Sequence, residues 1–220
     1  AEYDSRAENG IEVYAGMLRA FGADEAAAAA SIEDWRDDRQ YGAPARIAHA
    51  LADGDRLFGY TVHYVPGHSA SDILLLADDG GHAFSGDHLL KTINPNPLLR
   101  IPPPGEPRAR SLVELRRSLD ETARRDFRVA FTGHGDPVQD HRALIGRLQA
   151  RYDRKSGEVW NALRERPLTP FELSRRMFPK LEDKHLFLGL SVALGHLELL
   201  EEEGRAACTM RDGVTVFSAL

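Results

Sequence analysis

Apolar and polar positions along the chain alternate between two periods. In IEVYAGMLRAFG, residues 11–22, apolar residues recur at helical spacing and stop at Gly22, which predicts a helix. DEAAAAASIEDW, residues 24–35, is alanine-rich with acid at its front and predicts a second. DDRQYGAPAR, residues 37–46, is a loop by its charge, Gly and Pro. The texture then changes. Leu57–Val65 reads as one strand, DILLLA as a second buried on both faces, DDGG as a hairpin turn, and HAFSGDHLL as a third strand. A proline-dense loop follows, INPNPLLRIPPPGEPRAR. Loops of this length in compact domains tend to be functional or disordered. Ser111, with Glu114 three residues on, predicts a capping box for LVELRRSLDETARR. FRVAFTG predicts a fourth strand. Asp140 caps a long helix expected to break near Ser156-Gly157.

From about residue 155 the pattern is a different one. Thr169, Pro170 and Glu172 carry the signature of a capped helix start. Leu186, Leu190, Leu194, Leu197 and Leu200 form one stripe of a further helix that ends at Gly204. AACTMRDGVTVFSA predicts a hairpin turning at Asp212-Gly213. With a first helix holding Val159, Trp160 and Leu163, three helices and a hairpin predict a small winged-helix domain over 155–220, after a first domain over 1–154.

Composition narrows the chemistry. The chain has 220 residues, 42% hydrophobic and 28% charged, with net charge -6, as an ordinary globular chain does. That acidity argues against a dominant attraction to nucleic-acid phosphates. The single cysteine, Cys208, permits no intrachain disulfide and no thiolate-rich metal site. No run approaches a membrane span, and no secretory signal is visible. The expectation is a cytoplasmic protein without a membrane partner.

Three predicted strands end alike, in Val65-Pro66-Gly67-His68, Ser85-Gly86-Asp87 and Thr132-Gly133-His134. Each places a metal-competent side chain beside glycine, which lets the main chain crowd a small site. Were the strands neighbours, two imidazoles and a carboxylate would meet at one sheet edge. Such a set suits zinc, or iron or manganese.

These motifs, with PGHS, FSGDHLL followed by INPN, TGHGDPVQD and the tail DKHLFLGLSVALGHLELLEEEGR, resemble the metallo-β-lactamase-fold hydrolases over about residues 50–205. The resemblance implies an α/β fold: a partial αββα sandwich, the second half of that fold, followed by the winged helix. It implies that His68 binds a first metal, that Asp87 bridges two and is the catalytic carboxylate, and that His134 binds the second. Zinc, one ion or two, would then activate water toward an ester, thioester, lactone, amide or phosphodiester bond of a small-molecule substrate. The family's His-x-His-x-Asp-His motif has no match in this chain. The expectation is a chain that starts downstream of it; a divergent member that lost it is the alternative. With three ligands split between two metal positions, the 220-residue chain by itself is expected to bind metal weakly and to be inactive or poorly active.

Further residues carry paired readings. His88 could orient Asp87 or touch substrate, or be an outward strand residue. Asn94 and Asn96 could rim the site or form a turn. Asp72 could accept the free N–H of His68, as metal-bound imidazoles usually require. His82, His141, His185 and His196 read as ordinary surface or helix histidines. The competing function is a nucleic-acid-binding winged helix on a non-catalytic scaffold. Leu200-Glu201-Glu202-Glu203 would repel phosphates there, so the tail reads as a packing element or homodimer contact.

Overall fold

The structure is a computed structural model that describes residues 2–38, 47, 49–102 and 106–220, with side chains from residue 10 to 36 in the first stretch. Most of the loop expected over 37–46, and positions 103–105 of the proline-dense loop, lie outside the described residues. Two compact units divide the chain. One joins Ala48–Arg100 to Ala109–Lys155; the other joins Ala1–Ile47, Ile101–Arg108 and Ser156–Leu220. The sequence division at 154/155 lies next to a unit boundary. The first 47 residues, however, group with the tail and not with the sheet that follows them.

The first unit is built on a five-stranded sheet of order β1-β2-β3-β4-β5. Its strands are β1 (Arg56–Leu57), β2 (Tyr60–Tyr64), β3 (Ile73–Ala77), β4 (His82–Gly86) and β5 (Val129–Thr132). The single strand expected over 57–65 is a tight hairpin instead. Phe58 and Gly59 both take positive φ, 52° and 82°, as a type I′ turn requires. β3 is not buried on both faces. Leu74 and Ala77 are buried while Ile73, Leu75 and Leu76 are half-exposed. The sheet is two-sided throughout: Ala83, Ser85 and Ala130 are buried, while Phe84 and Phe131 are 43% and 40% exposed. On that open face Tyr60, His82, Phe84 and Phe131 form a ring cluster with centroids 5.5–5.7 Å apart.

Helix α3 (Ser111–Ala123) connects β4 to the parallel β5, the kind of crossover that parallel strands need. Leu112, Leu115 and Leu119 are fully buried along it. Ser111 is not its cap. Arg110 holds that position without a side-chain bond. The Ser111 hydroxyl instead donates to the Leu98 carbonyl at 2.7 Å, and Glu114 pairs with Arg100. A long-range partner has taken both halves of the expected box. Helix α4 (His141–Glu165) is unbroken. Asp140 caps it, accepting from Ala143 N–H at 2.9 Å. Ser156 is buried within it, and its hydroxyl meets His196 Nδ1 at 2.9 Å, so packing carries the helix past the Ser-Gly pair.

The second unit holds α1 (Glu2–Ala20), α2 (Glu25–Asp38), α5 (Pro170–Met177), α6 (Leu186–Glu202) and the hairpin β6 (Ala206–Arg211)–β7 (Val214–Ala219). Thr169 and Glu172 form the expected capping box, with bonds of 3.1 and 2.8 Å. Asp212 and Gly213 take φ of 50° and 80° at the hairpin turn. The grouping of the N-terminal helices with the tail has specific causes. Phe171 N–H donates to the Phe21 carbonyl at 3.1 Å. The Tyr14 ring packs on Phe187 at 5.9 Å, and Thr169 sits so close that a β-carbon on Gly22 would meet it at 3.0 Å. Gly22 thus ends α1 and also admits a neighbour.

Two histidines read as ordinary surface or helix residues lie on helices and are buried. His196 is 3% exposed; His141, also 3% exposed, stacks on Phe127 at 3.9 Å. His88 is fully buried, and burial pushes its pKa from 6.5 down to about 4. Burial also lowers His141. As pH falls below 6.5 the unfolded chain therefore takes up protons first. Stability from these neutral rings is complete above pH 6.5 and drains away toward pH 4. For His88 the loss is about 3 kcal/mol. Urea denaturation at about pH 7.5 and about pH 4.5 should show that loss, and His88→Gln should flatten most of it.

Candidate metal centre

Strand direction decides which side chains can meet. β2 and β4 are each antiparallel to β3, and β5 is parallel to β4. β2, β4 and β5 therefore run the same way, and all three end at one edge of the sheet. His68 follows β2, Asp87 follows β4 and His134 follows β5. At that edge His134 Nε2 stands 3.2 Å from Asp87 Oδ2, and His68 Nε2 stands 3.6 Å from the same oxygen. His68 is the inner ligand candidate, its side chain 19% exposed; His134 is the outer one at 67%.

Glycines make this convergence possible. Gly67 has φ of +143°, and a β-carbon there would lie 2.3 Å from the backbone of Leu115 on α3. The loop before His68 is pressed against that helix, and Ser118 fastens it by donating to the Pro66 carbonyl at 2.7 Å. At Gly133 a β-carbon would lie 2.2 Å from Asp87 Oδ1. Gly133 N–H also donates to the Gly86 carbonyl at 2.8 Å, which joins the two strand ends.

The orientation of His68 comes from the proline-dense loop. His68 Nδ1 lies 2.7 Å from the Asn96 carbonyl. A carbonyl only accepts, so Nδ1 carries a proton and Nε2 is the ring nitrogen turned toward Asp87. Leu98 N–H donates back to the His68 carbonyl at 3.2 Å. Tyr152 on α4 donates to the neighbouring Pro95 carbonyl at 3.3 Å, and burial raises its pKa well above the usual phenol range. Asp72, expected to accept from His68, is occupied elsewhere. It takes the Ser69 N–H at 2.7 Å and the Ser69 hydroxyl at 2.5 Å. A carboxylate three residues on closes its own turn more readily than it reaches an imidazole. His88 is neither outward nor at the site mouth. Its Nε2 meets Thr122 at 2.9 Å inside the core. Asn94 lines a groove with Lys91 and Thr92. The role of Asn96 rests on its backbone carbonyl, which no residue type announces. Its flanking prolines, Pro95 and Pro97, are the only local sign.

Donor chemistry bears on a cation. Tetrahedral ligands about 2.1 Å from zinc lie roughly 3.4 Å from one another. The two distances to Asp87 Oδ2 fall on either side of that value. Among the described residues, no group of three or more His, Cys, Asp or Glu, His68, Asp87 and His134 included, stands so that it could hold a metal ion.

No protein-family model matches the chain. It is similar to the probable metallo-hydrolase YqjP of Bacillus subtilis (strain 168), with 36% identity over 163 residues, 74% of this chain and 51% of that protein. Its structure is similar to a β-lactamase domain protein from Burkholderia ambifaria, with TM-score 0.77 and 26% identity, covering 92% of this chain and 60% of that one. A metallo-β-lactamase family protein from Thermus thermophilus is similar with TM-score 0.68 and 27% identity, covering 89% of this chain and 65% of that one. The chain is thus a metallo-β-lactamase-fold protein. It spans about half the length of the curated relative it matches.

The glycine argument is directly testable by denaturation. Gly135 also has positive φ, 73°, but open space around it, so Gly135→Ala should cost about 1 kcal/mol. Gly67→Ala meets backbone as well, and should cost more than about 3 kcal/mol or prevent folding.

Proposed function

We propose that His68, Asp87 and His134 are part of a divalent-metal site in a hydrolase, with Asp87 shared between metal positions. The observation that carries this reading is the approach of two imidazole Nε2 atoms to one carboxylate oxygen. A bound zinc, iron or manganese ion would supply Lewis acidity and activate water toward an ester-like, thioester-like, lactone, amide or phosphodiester bond. The chain's own residues do the rest. The Asn96 carbonyl holds His68 in the tautomer that can bind metal, Gly133 leaves room for Asp87, and Asp87 provides the negative charge that neutralises the cation.

Three ligands are fewer than two metal positions need, since a catalytic zinc normally keeps three protein ligands plus water. The half-exposed ring face of Phe84 and Phe131 supports a sandwich in which a further sheet covers it and brings the other ligands. Helices α5 and α6 with the β6–β7 hairpin support the winged-helix reading of the tail. They do not favour nucleic acid as its partner: α6 is buried from Leu190 to Leu200 except at Val192. Little of its surface is left to enter a groove. Among the described residues no helix is long and apolar enough to cross a membrane.

Calorimetric titration of zinc into the 220-residue chain should give weak binding, with Kd of about 10 μM or higher. Asp87→Ala should abolish it. Gly133→Ala should weaken it about tenfold while leaving the melting temperature little changed, because the carboxylate moves and the fold does not. Tight stoichiometric binding would refute the partial-site reading, and binding unaffected by Asp87→Ala would refute the site.

A further inference from the structure

A second polar feature of the first unit is unexplained by the metal centre. A groove of about 460 Å³ is lined by Lys91, Asn94, Arg147, Leu148, Arg151 and Arg154, among others, and no carboxylate lines it. Arg147, Arg151 and Arg154 stand at i, i+4 and i+7 of α4, on one helix face. They span about 10 Å along the axis. Within the described residues neither Arg147 nor Arg151 has an ion-pair partner, and Arg154 bonds only its own helix at the Ala150 carbonyl, 3.3 Å away. Lys91 meets only the exposed Asp136, at 3.3 Å.

The chain as a whole carries a net charge of -6. Several arginines outside the groove stand against acids: Arg56 on Asp78, Arg116 on Asp153, Arg142 on Asp126, Arg176 on Glu165. Three adjacent guanidinium groups without acids repel one another, and an anionic ligand relieves that repulsion. Guanidinium forks match phosphate oxygens in geometry as well as charge. The groove is within the size range of small-molecule sites. Leu90, Leu144 and Leu148 give it an apolar lining beside the cations, which suits a ring or alkyl portion on the same ligand.

We propose that this groove binds a small molecule of the nucleoside-diphosphate class, with adjacent phosphates on the α4 arginines and an apolar portion on the leucines. The groove lies near the metal-competent strand ends in sequence. Lys91 comes four residues after Asp87, and its partner Asp136 two after His134. Binding requires no metal, so the proposal stands apart from the hydrolase reading.

The test is titration of ADP into the 220-residue chain in EDTA at low salt, followed by calorimetry. Saturable one-to-one binding is expected. It should weaken at least tenfold in Arg151→Ala, be lost when Arg147, Arg151 and Arg154 are all alanine, and be unchanged in Arg176→Ala. Raising salt from about 50 to about 200 mM should weaken it several-fold. Circular dichroism melts should match for all variants, since the substituted side chains are exposed. Absence of ADP binding, or equal binding by the triple variant, overturns the proposal. So does single-stranded RNA bound through these arginines and not displaced by ADP, which would mark an extended nucleic-acid surface. Because EDTA is present throughout, none of these results bears on the zinc titration.

Discussion

The parallel pairing of β4 with β5 is the constraint on which the rest of the first unit depends. Two parallel strands cannot be joined by a tight turn, so the chain must leave the sheet and return through α3. Once α3 is there, its buried leucines and the bonds from Ser118 and Thr122 fix the loop after β2 and the turn after β4. The same pairing makes β5 end where β4 ends. Since β3 reverses between β2 and β4, β2 ends there too. One topological choice thus gathers His68, Asp87 and His134.

Close packing then fixes which residues can stand around that edge. Gly67 is dictated by the backbone of α3, and Gly133 by the carboxylate of Asp87. Both glycines lie immediately before a histidine, and each leaves room for something other than its own chain segment. The proline-dense loop adds orientation. Prolines on both sides of Asn96 limit how its carbonyl can move, and that carbonyl selects the His68 tautomer. The loop is therefore a support for the site more than a rim of it.

Charge is distributed with the same economy. Several acids stand against arginines at the surface, where each pair contributes little to stability. The arginine face of α4 has no acid lining the apolar groove beside it. Buried histidines are the other departure from a plain core. His88 and His196 each meet a hydroxyl, from Thr122 and Ser156, so each ring ties a helix to a distant segment, and for His88 burial brings sensitivity to acid.

Much of this was legible in the chain itself. The helix over 170–177 announced its cap, the Asp212-Gly213 turn its hairpin, and the three Gly-flanked strand ends their metal-competent residues, because each signal is local and its physics acts within a few residues. What failed were local signals overridden by distant partners. Ser111 and Glu114 went to Leu98 and Arg100, Asp72 to Ser69, and the Ser156-Gly157 break was suppressed by packing. The choice of a backbone carbonyl for His68, the grouping of the first helices with the tail, and the burial of His88 and His196 were decided only by tertiary structure. Backbone groups carry no sequence label, and contacts between segments far apart in the chain exist only once the fold has closed.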